Sequence, residues 1–238
     1  MSAPLIAINA LFHAEDPMLR LRQRYVDAVR RAGGLPVALA SHHGPDGERD
    51  AEIDAILDRI DGLLLTGGDD FHAGPLGLGA THPAADATYL PKQEFDLALT
   101  RAAVARDLPV LGICFGMQCL GLVGGATLLQ DIPSARPDAR EHRDSAIHDV
   151  LPRKGTKLAG ILGIGPVPVV SRHHQALRTI PPPWIVSAMD DENLVEAIEH
   201  PERRFALGVQ WHPEIQVPDR NQQPSDALLA AFVDACRR

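Results

Sequence analysis

Residues 109–123, Pro-Val-Leu-Gly-Ile-Cys-Phe-Gly-Met-Gln-Cys-Leu-Gly-Leu-Val, decide the architecture. Residues 109–113 are short and apolar, the pattern of a strand covered on both faces. Cys114 stands at a break between Gly112 and Gly116, and a short helix follows it. A strand that turns sharply into a helix through Gly-x-Cys-x-Gly needs small residues on each side, because the two backbones pack closely there. Such an elbow projects its central side chain, the Cys114 thiol. The amino end of the following helix favours the thiolate. The Phe115 N–H, unused by the first helical turn, can donate to a developing oxyanion. A buried apolar cysteine closing a strand is the plainer reading of the same residue. The flanking glycines weigh against it.

Upstream of the elbow, strand and helix patterns alternate. Strands are expected at 5–9, 35–40 and 62–65, and helices at 18–32, 51–60 and 92–106. In the first helix Leu21, Tyr25, Ala28 and Val29 share a face, and Gly33-Gly34 ends it. This rhythm predicts a parallel sheet with helices on both faces. Downstream, residues 146–150, 157–162, 167–170, 184–188, 194–199 and 206–210 read as strands, and helical spacing returns only at 225–236. The chain is therefore expected to be one α/β domain over residues 1–238, with a mainly parallel central sheet and added antiparallel strands. Residues 134–144, polar and charged, and 74–87, rich in Gly, Pro and Ala, are expected to be loops.

Composition narrows the function classes. Of 238 residues, 45% are hydrophobic and 4% aromatic, so the core must be aliphatic. A net charge of −8 without a Lys/Arg run disfavours nucleic acid. No apolar run is long enough to span a bilayer, and the first nine residues read as a strand rather than a signal peptide. Three cysteines, Cys114, Cys119 and Cys236, with no CxxC spacing, suggest reduced thiols and a cytoplasmic protein. Cys119 and Cys236 are expected to pack rather than react.

The second decisive stretch is Gly208-Val-Gln-Trp-His-Pro-Glu214. It places His212 and Glu214 two residues apart after a strand end, where an extended chain points both side chains the same way. Glu214 can then hold one imidazole nitrogen while the other faces a thiol, the logic of a cysteine–histidine–carboxylate site. Gly67-Gly68, after the strand at 62–65, suits close backbone approach to a ligand. Among eleven histidines, the neighbours His42-His43 and His173-His174 diverge within each pair, and no HxxxH or HExxH occurs. A catalytic metal is therefore not expected. Asp69-Asp70 with His72 is the best acidic alternative and reads better as a solvated loop or part of the substrate rim. Neither a Walker loop nor GxGxxG occurs, so no nucleotide or other cofactor is expected.

These motifs together resemble the class I glutamine amidotransferase superfamily, with its flavodoxin-like core. Within it, the chain is most similar to the stand-alone γ-glutamyl-γ-aminobutyrate hydrolase type of the C26 peptidase group. Four further segments carry the narrower match: Tyr25-Val-Asp-Ala-Val-Arg-Arg-Ala-Gly-Gly-Leu-Pro36, Asp61-Gly-Leu-Leu-Leu-Thr-Gly-Gly-Asp-Asp70, Gly124-Gly-Ala-Thr-Leu-Leu-Gln-Asp131 and Ser171-Arg-His-His-Gln-Ala176. The resemblance implies Cys114 as nucleophile, His212 as general base and Glu214 as its orienting acid. It implies an oxyanion hole from the Gly68 and Phe115 N–H groups, and substrate contacts near Gly67, Gln118, His173 and His174. It further implies hydrolysis of a small γ-glutamyl amide through a glutamyl thioester; a homodimer is compatible with this. The chain departs from the group at Phe115, often Arg there, at Val170-Ser171-Arg172 and at Asp191-Glu-Asn-Leu194. A glutaminase subunit that feeds ammonia to a synthase shares these residues, and a non-catalytic binding module on the same fold is the remaining alternative.

Overall fold

A computed structural model describes residues 2–13, 16–217 and 219–237. The elements run β1 (Leu5–Asn9), β2 (Leu11–His13), β3 (Asp16–Arg20), α1 (Gln23–Arg31), β4 (Leu35–Leu39), α2 (Asp46–Leu57), β5 (Gly62–Leu65), α3 (Leu90–Ala105), β6 (Val110–Ile113) and α4 (Phe115–Val123). The second half adds β7 (Leu128–Leu129), α5 (Ile132–Ala135), β8 (Ala146–Pro152), α6 (Lys157–Leu162), β9 (Val167–Ser171), β10 (Ala176–Leu177), β11 (Ile185–Met189), β12 (Val195–Glu199), β13 (Ala206–Val209) and α7 (Gln222–Ala235).

One nine-stranded sheet organises the chain, in the order β4-β1-β5-β6-β13-β12-β11-β8-β9. The first five strands are parallel to one another. From β13 onward every neighbouring pair is antiparallel. This is the expected α/β architecture, a largely parallel sheet with antiparallel strands added at one side.

Alternation along the parallel strands separates two cores. Ile6, Ile8, Leu64, Leu111, Leu207 and Val209 face α1 and α7, meeting Tyr25, Val29, Leu228, Leu229, Phe232 and Val233. Ala7, Leu63, Leu65, Val110 and Ala206 face α2, α3 and α4, meeting Ile53, Leu57, Phe95, Leu99 and Met117. Burying one such aliphatic side chain contributes about 1.5–3 kcal/mol, so the sheet is held from both sides.

Two expected elements need correction. Residues 18–20, assigned above to the first helix, belong to β3, which pairs antiparallel with β2 through Leu11↔Arg20 and Phe12↔Leu19. Met18 and Leu19 are half exposed, so their apolar spacing marks no core face, and the helix begins only at Gln23. Residues 157–162, expected to be a strand, form α6. The Thr156 hydroxyl accepts from the Ala159 N–H, and the buried Glu199 carboxylate accepts from the Lys157 and Leu158 N–H groups at 2.7 and 3.1 Å. These caps satisfy the first turn, and Leu158, Ile161 and Leu162 pack inward at helical spacing. The loop expected at 134–144 yields its first residues to α5, and 74–87 is irregular apart from a 3-10 turn at Gly74–Leu76.

Candidate active site

β5, β6 and β13 lie side by side, and their carboxyl ends level out through the pairs Leu65↔Gly112 and Ile113↔Val209. Each strand hands its next residues to one spot: Gly67-Gly68 after β5, Cys114 after β6, His212 after β13. This is where parallel α/β sheets place ligands.

Cys114 has φ 51° and ψ −107° and stands at the amino end of α4. Positive φ is costly for a non-glycine residue, and the surroundings hold it there. The Cys114 N–H is bound to the Val209 carbonyl at 2.8 Å, and the Gly116 N–H to the Thr66 carbonyl at 3.1 Å. A Cβ on Gly112 would come within 2.5 Å of the Gly116 carbonyl oxygen, and one on Gly116 within 2.3 Å of the Leu65 carbonyl oxygen. Only glycine lets β5, β6 and α4 meet this closely.

His212 Nδ1 lies 2.7 Å from Glu214 Oε1, and both side chains are buried. The chain achieves this by a turn rather than by the extended geometry expected from their spacing, since the Ile215 N–H bonds to the His212 carbonyl at 3.0 Å. The Val170 carbonyl on β9 accepts from the His212 N–H at 2.9 Å and fixes the backbone. Burial disfavours the His212 cation. The Glu214 charge and the hydrogen bond with Cys114 outweigh that and hold the imidazole up at about 10. The raised imidazole stands beside the Cys114 sulfur, its hydrogen-bond partner.

Gly67 is wedged into the same spot. A Cβ there would lie 2.8 Å from His212 Cε1, 3.0 Å from the Tyr25 hydroxyl and 3.5 Å from Cys114 Cβ. The Tyr25 hydroxyl accepts from the Gly67 N–H at 3.0 Å, and its phenol is raised well above the ordinary value by burial and then by Glu214. Among the described residues, the Gly68 and Phe115 N–H groups have no backbone or side-chain acceptor. The Phe115 ring turns away from the cleft and stacks on Phe71 at 4.2 Å, with Lys92 Nζ 5.0 Å from the ring centroid. The Phe115 side chain is thus absorbed in the core, where Lys92 and Asp96 form a buried pair.

The cleft holds about 160 Å³ and is lined by Gly67, Gly68, Cys114, His212 and Glu214 together with Leu11, Tyr25, Asp69, Ile215 and three arginines, Arg22, Arg24 and Arg172. Of the other expected contacts, Gln118 is buried, donating to Gln210 Oε1 at 3.2 Å and to the Gln175 carbonyl at 3.4 Å. His173 is buried, with Nδ1 2.9 Å from the Gln175 carbonyl. His174 bridges two carboxylates, Nε2 to Asp70 Oδ2 at 2.8 Å and Nδ1 to Asp131 Oδ1 at 2.9 Å. It thereby ties the loop after Gly67-Gly68 to the start of α5. None of these three lines the cleft. Asp70 is engaged by His174 and the Asp86 N–H, and His72 Nε2 lies 2.8 Å from the Thr88 carbonyl, so these two side chains tie the loop together, while Asp69 stands on the cleft rim.

Tyr25, Arg22 and Arg24 escaped the sequence reading. Tyr25 was placed on the inward helix face, and its polar tip left no trace in the hydropathy pattern. Arg22 and Arg24 belonged to mid-helix until the helix start moved to Gln23, which brings them to the rim.

The chain matches the Peptidase C26 family over residues 4–214 and belongs to it. It is 34% identical to a provisionally named glutamine amidotransferase of Mycobacterium tuberculosis, over 98% of this chain and 75% of the relative. It is 29% identical to the γ-glutamyl-γ-aminobutyrate hydrolase PuuD of Escherichia coli K12, over 91% and 86%. The glutaminase domain of Trypanosoma brucei CTPS, solved with bound acivicin, superposes with a TM-score of 0.70 at 19% identity, covering 98% of this chain and 94% of that one. The protein is therefore a glutamine amidotransferase-like hydrolase of the C26 family. Among the described residues no helix is long and apolar enough to cross a membrane.

Proposed function

We propose that the protein hydrolyses the γ-glutamyl amide bond of a small γ-glutamyl amine. The observation that carries this reading is the buried Cys114–His212–Glu214 row, with its 2.7 Å imidazole–carboxylate contact, opening onto a cleft rimmed by three arginines. Cys114 Sγ attacks the γ-carbonyl carbon as thiolate. The oxyanion forms between the Gly68 and Phe115 N–H groups, which are free to receive it. His212 gives its proton to the departing amine and then takes one from the water that cleaves the thioester, releasing glutamate and restoring the thiolate–imidazolium pair. Glu214 fixes the tautomer and stabilises the imidazolium. Tyr25 holds the Gly67 backbone against the sulfur and does no proton transfer in this scheme. Arg22, Arg24 and Arg172 supply cations for the α-carboxylate of the glutamyl group or for a carboxylate on the amine, and free glutamate leaves from the same rim.

A glutaminase subunit that delivers ammonia to a synthase is the second reading, supported by the name of the 34% identical relative. Both readings share the chemistry at Cys114 and differ in the leaving group.

Glutamate release across a panel of γ-glutamyl amides, free glutamine, α-glutamyl amides and simple acyl amides separates them. A site that hydrogen-bonds the α-amino and α-carboxyl groups rejects analogues lacking them by roughly 10⁴–10⁵. The amine side discriminates by only about 1–3 kcal/mol per methylene. Equal rates on γ- and α-glutamyl amides would end the proposal. Glutamine as best substrate, faster still with a partner protein, would transfer it to the second reading.

A further inference from the structure

Beyond the cleft, the fold gathers a second set of chemistry-bearing side chains that the reaction does not use. His142 comes from the loop before β8, His148 from β8, His173 from the residue pair after β9, and Glu196 from β12. Their side chains are at most 2% exposed. Three imidazole nitrogens face one carboxylate oxygen: His142 Nδ1, His148 Nε2 and His173 Nε2 lie 3.8, 3.9 and 3.5 Å from Glu196 Oε1. Among the described residues, His148 Nε2, His173 Nε2 and both Glu196 oxygens are buried without a hydrogen-bond partner.

Two of the outer nitrogens lie at carbonyl acceptors; the third, His142 Nε2, faces Asp190 without a hydrogen bond, and His142 Nδ1 meets Ser171 Oγ at 3.5 Å. His173 Nδ1 lies 2.9 Å from the Gln175 carbonyl, His148 Nδ1 3.3 Å from the Asp149 carbonyl, and His142 Nε2 3.6 Å from Asp190 Oδ2. Asp190 is itself fixed, its Oδ1 accepting from the Glu192 and Leu194 N–H groups at 3.0 and 2.7 Å. With the protons on those outer nitrogens, the lone pairs of His142 and His148 and the Glu196 carboxylate face a common space, while His173 Nε2 approaches Glu196 alone. That is the arrangement in which outer acceptors orient histidines toward a metal. One proton on Glu196 could serve a single imidazole, and every separation here is too long for that bond. A tetrahedral ion with bonds of about 2.0–2.1 Å separates its ligand atoms by about 3.3 Å, so these atoms draw together by up to about 1.5 Å as the ion enters. His142, His148 and Glu196 already place their ligand atoms within 4.8 Å of one another.

We propose that His142, His148 and Glu196 bind one divalent transition-metal ion of the zinc class in a buried, structural site. Imidazole with a single carboxylate suits zinc better than calcium or magnesium, which take mostly oxygen ligands. Two carboxylates, Glu196 and Asp190, balance the charge of the ion. None of the three ligands lines the cleft, so the ion takes no part in hydrolysis. It pins the loop before β8, whose His142 carbonyl accepts from the His173 N–H at 2.9 Å, to β12, whose Glu196 carbonyl accepts from the Gln210 N–H just before the His212 turn. No local pattern announces the site, because its ligands stand at 142, 148 and 196 and neither neighbouring histidines nor helical spacing joins them.

The test uses the untagged full-length chain carrying Cys114→Ser, which removes the active-site thiol as a competing ligand. After dialysis against a chelator, Zn²⁺ is expected to rebind at about one ion per chain and raise Tm by several degrees. Co²⁺ is expected to give the intense visible bands of a tetrahedral site without a thiolate charge-transfer band. His148→Gln and Glu196→Gln, confirmed folded by circular dichroism, are expected to lose those bands. Metal content at trace level with a Tm indifferent to Zn²⁺ and chelator would overturn the proposal. So would Co²⁺ bands that survive both substitutions.

Discussion

In the parallel half of the sheet, the interiors of β1, β5, β6 and β13 are aliphatic, and polar chemistry begins only where strands end, at Asn9, Gly67, Cys114 and His212. In the antiparallel half, polar groups are buried within the strands themselves: His148 in β8, Ser187 in β11, Glu196 and Glu199 in β12. The first half makes a rigid frame with reactive groups on its rim. The second half makes polar connections inside its own body, Glu199 capping α6 and Glu196 facing three imidazoles. Chemistry at a rim can be lost with the frame intact. Polar groups inside a body cannot be removed without leaving partners unsatisfied.

The largest expected effect follows from the rim. Cys114→Ala should lower kcat by several orders of magnitude while thermal unfolding stays close to that of the unaltered chain. His212→Ala should be nearly as damaging, and Glu214→Gln less so by roughly one to two orders of magnitude, because Glu214 orients and His212 moves protons. A double Cys114→Ala, His212→Ala variant should be little worse than either. Glu214→Gln consistently below His212→Ala in kcat would contradict the assigned roles.

The frame itself breaks next. Gly112→Ala should cost about 3 kcal/mol or more of stability, since its methyl meets the Gly116 backbone and no side chain can give way. Denaturant midpoints of the two chains measure this. A Gly112→Ala variant as stable as the unaltered chain would mean that strand and helix are not held as tightly as the elbow requires.

A smaller, pH-dependent effect tests the bridge between the halves. The Asp70 hydrogen bond, against burial and with Asp131 assisting, raises His174 to about 9. Its contribution to stability is complete below the unfolded histidine value of about 6.5 and is lost as pH rises through about 9. Burial opposes the Asp131 carboxylate, yet Ser134 and His174 hold it down at about 2. Its contribution is complete above about 4 and is lost as pH falls through about 2. His174→Gln should therefore flatten the alkaline limb and shrink the acid one, by about 1 kcal/mol after discounting for solvent screening of a partly exposed bridge. Unchanged stability-versus-pH curves would remove the bridge from the account.

The same contrast explains what could be read beforehand. The parallel half was legible because alternation and apolar runs report directly on strands covered on both faces, and because Gly112, Gly116 and the His212–Glu214 spacing are local signals. The α6 segment was misread because its deciding interaction, the Glu199 cap, comes from a distant strand. Tyr25 was hidden because one hydroxyl does not disturb the spacing of an apolar face. Arg22 and Arg24 depended on where α1 begins, which the antiparallel pairing of β2 with β3 sets. The histidine cluster could not be seen at all, since no two of its members are close enough in the chain to form a pattern.

The central claim is that Cys114 carries the acyl group, and the most direct measurement is intact-protein mass spectrometry of enzyme quenched in acid during turnover of a γ-glutamyl amide. The account predicts an adduct of one glutamyl residue, located on the peptide containing Cys114, labile to hydroxylamine and absent in Cys114→Ser. Steady glutamate release with no adduct on Cys114, or with undiminished release by Cys114→Ala, would contradict it.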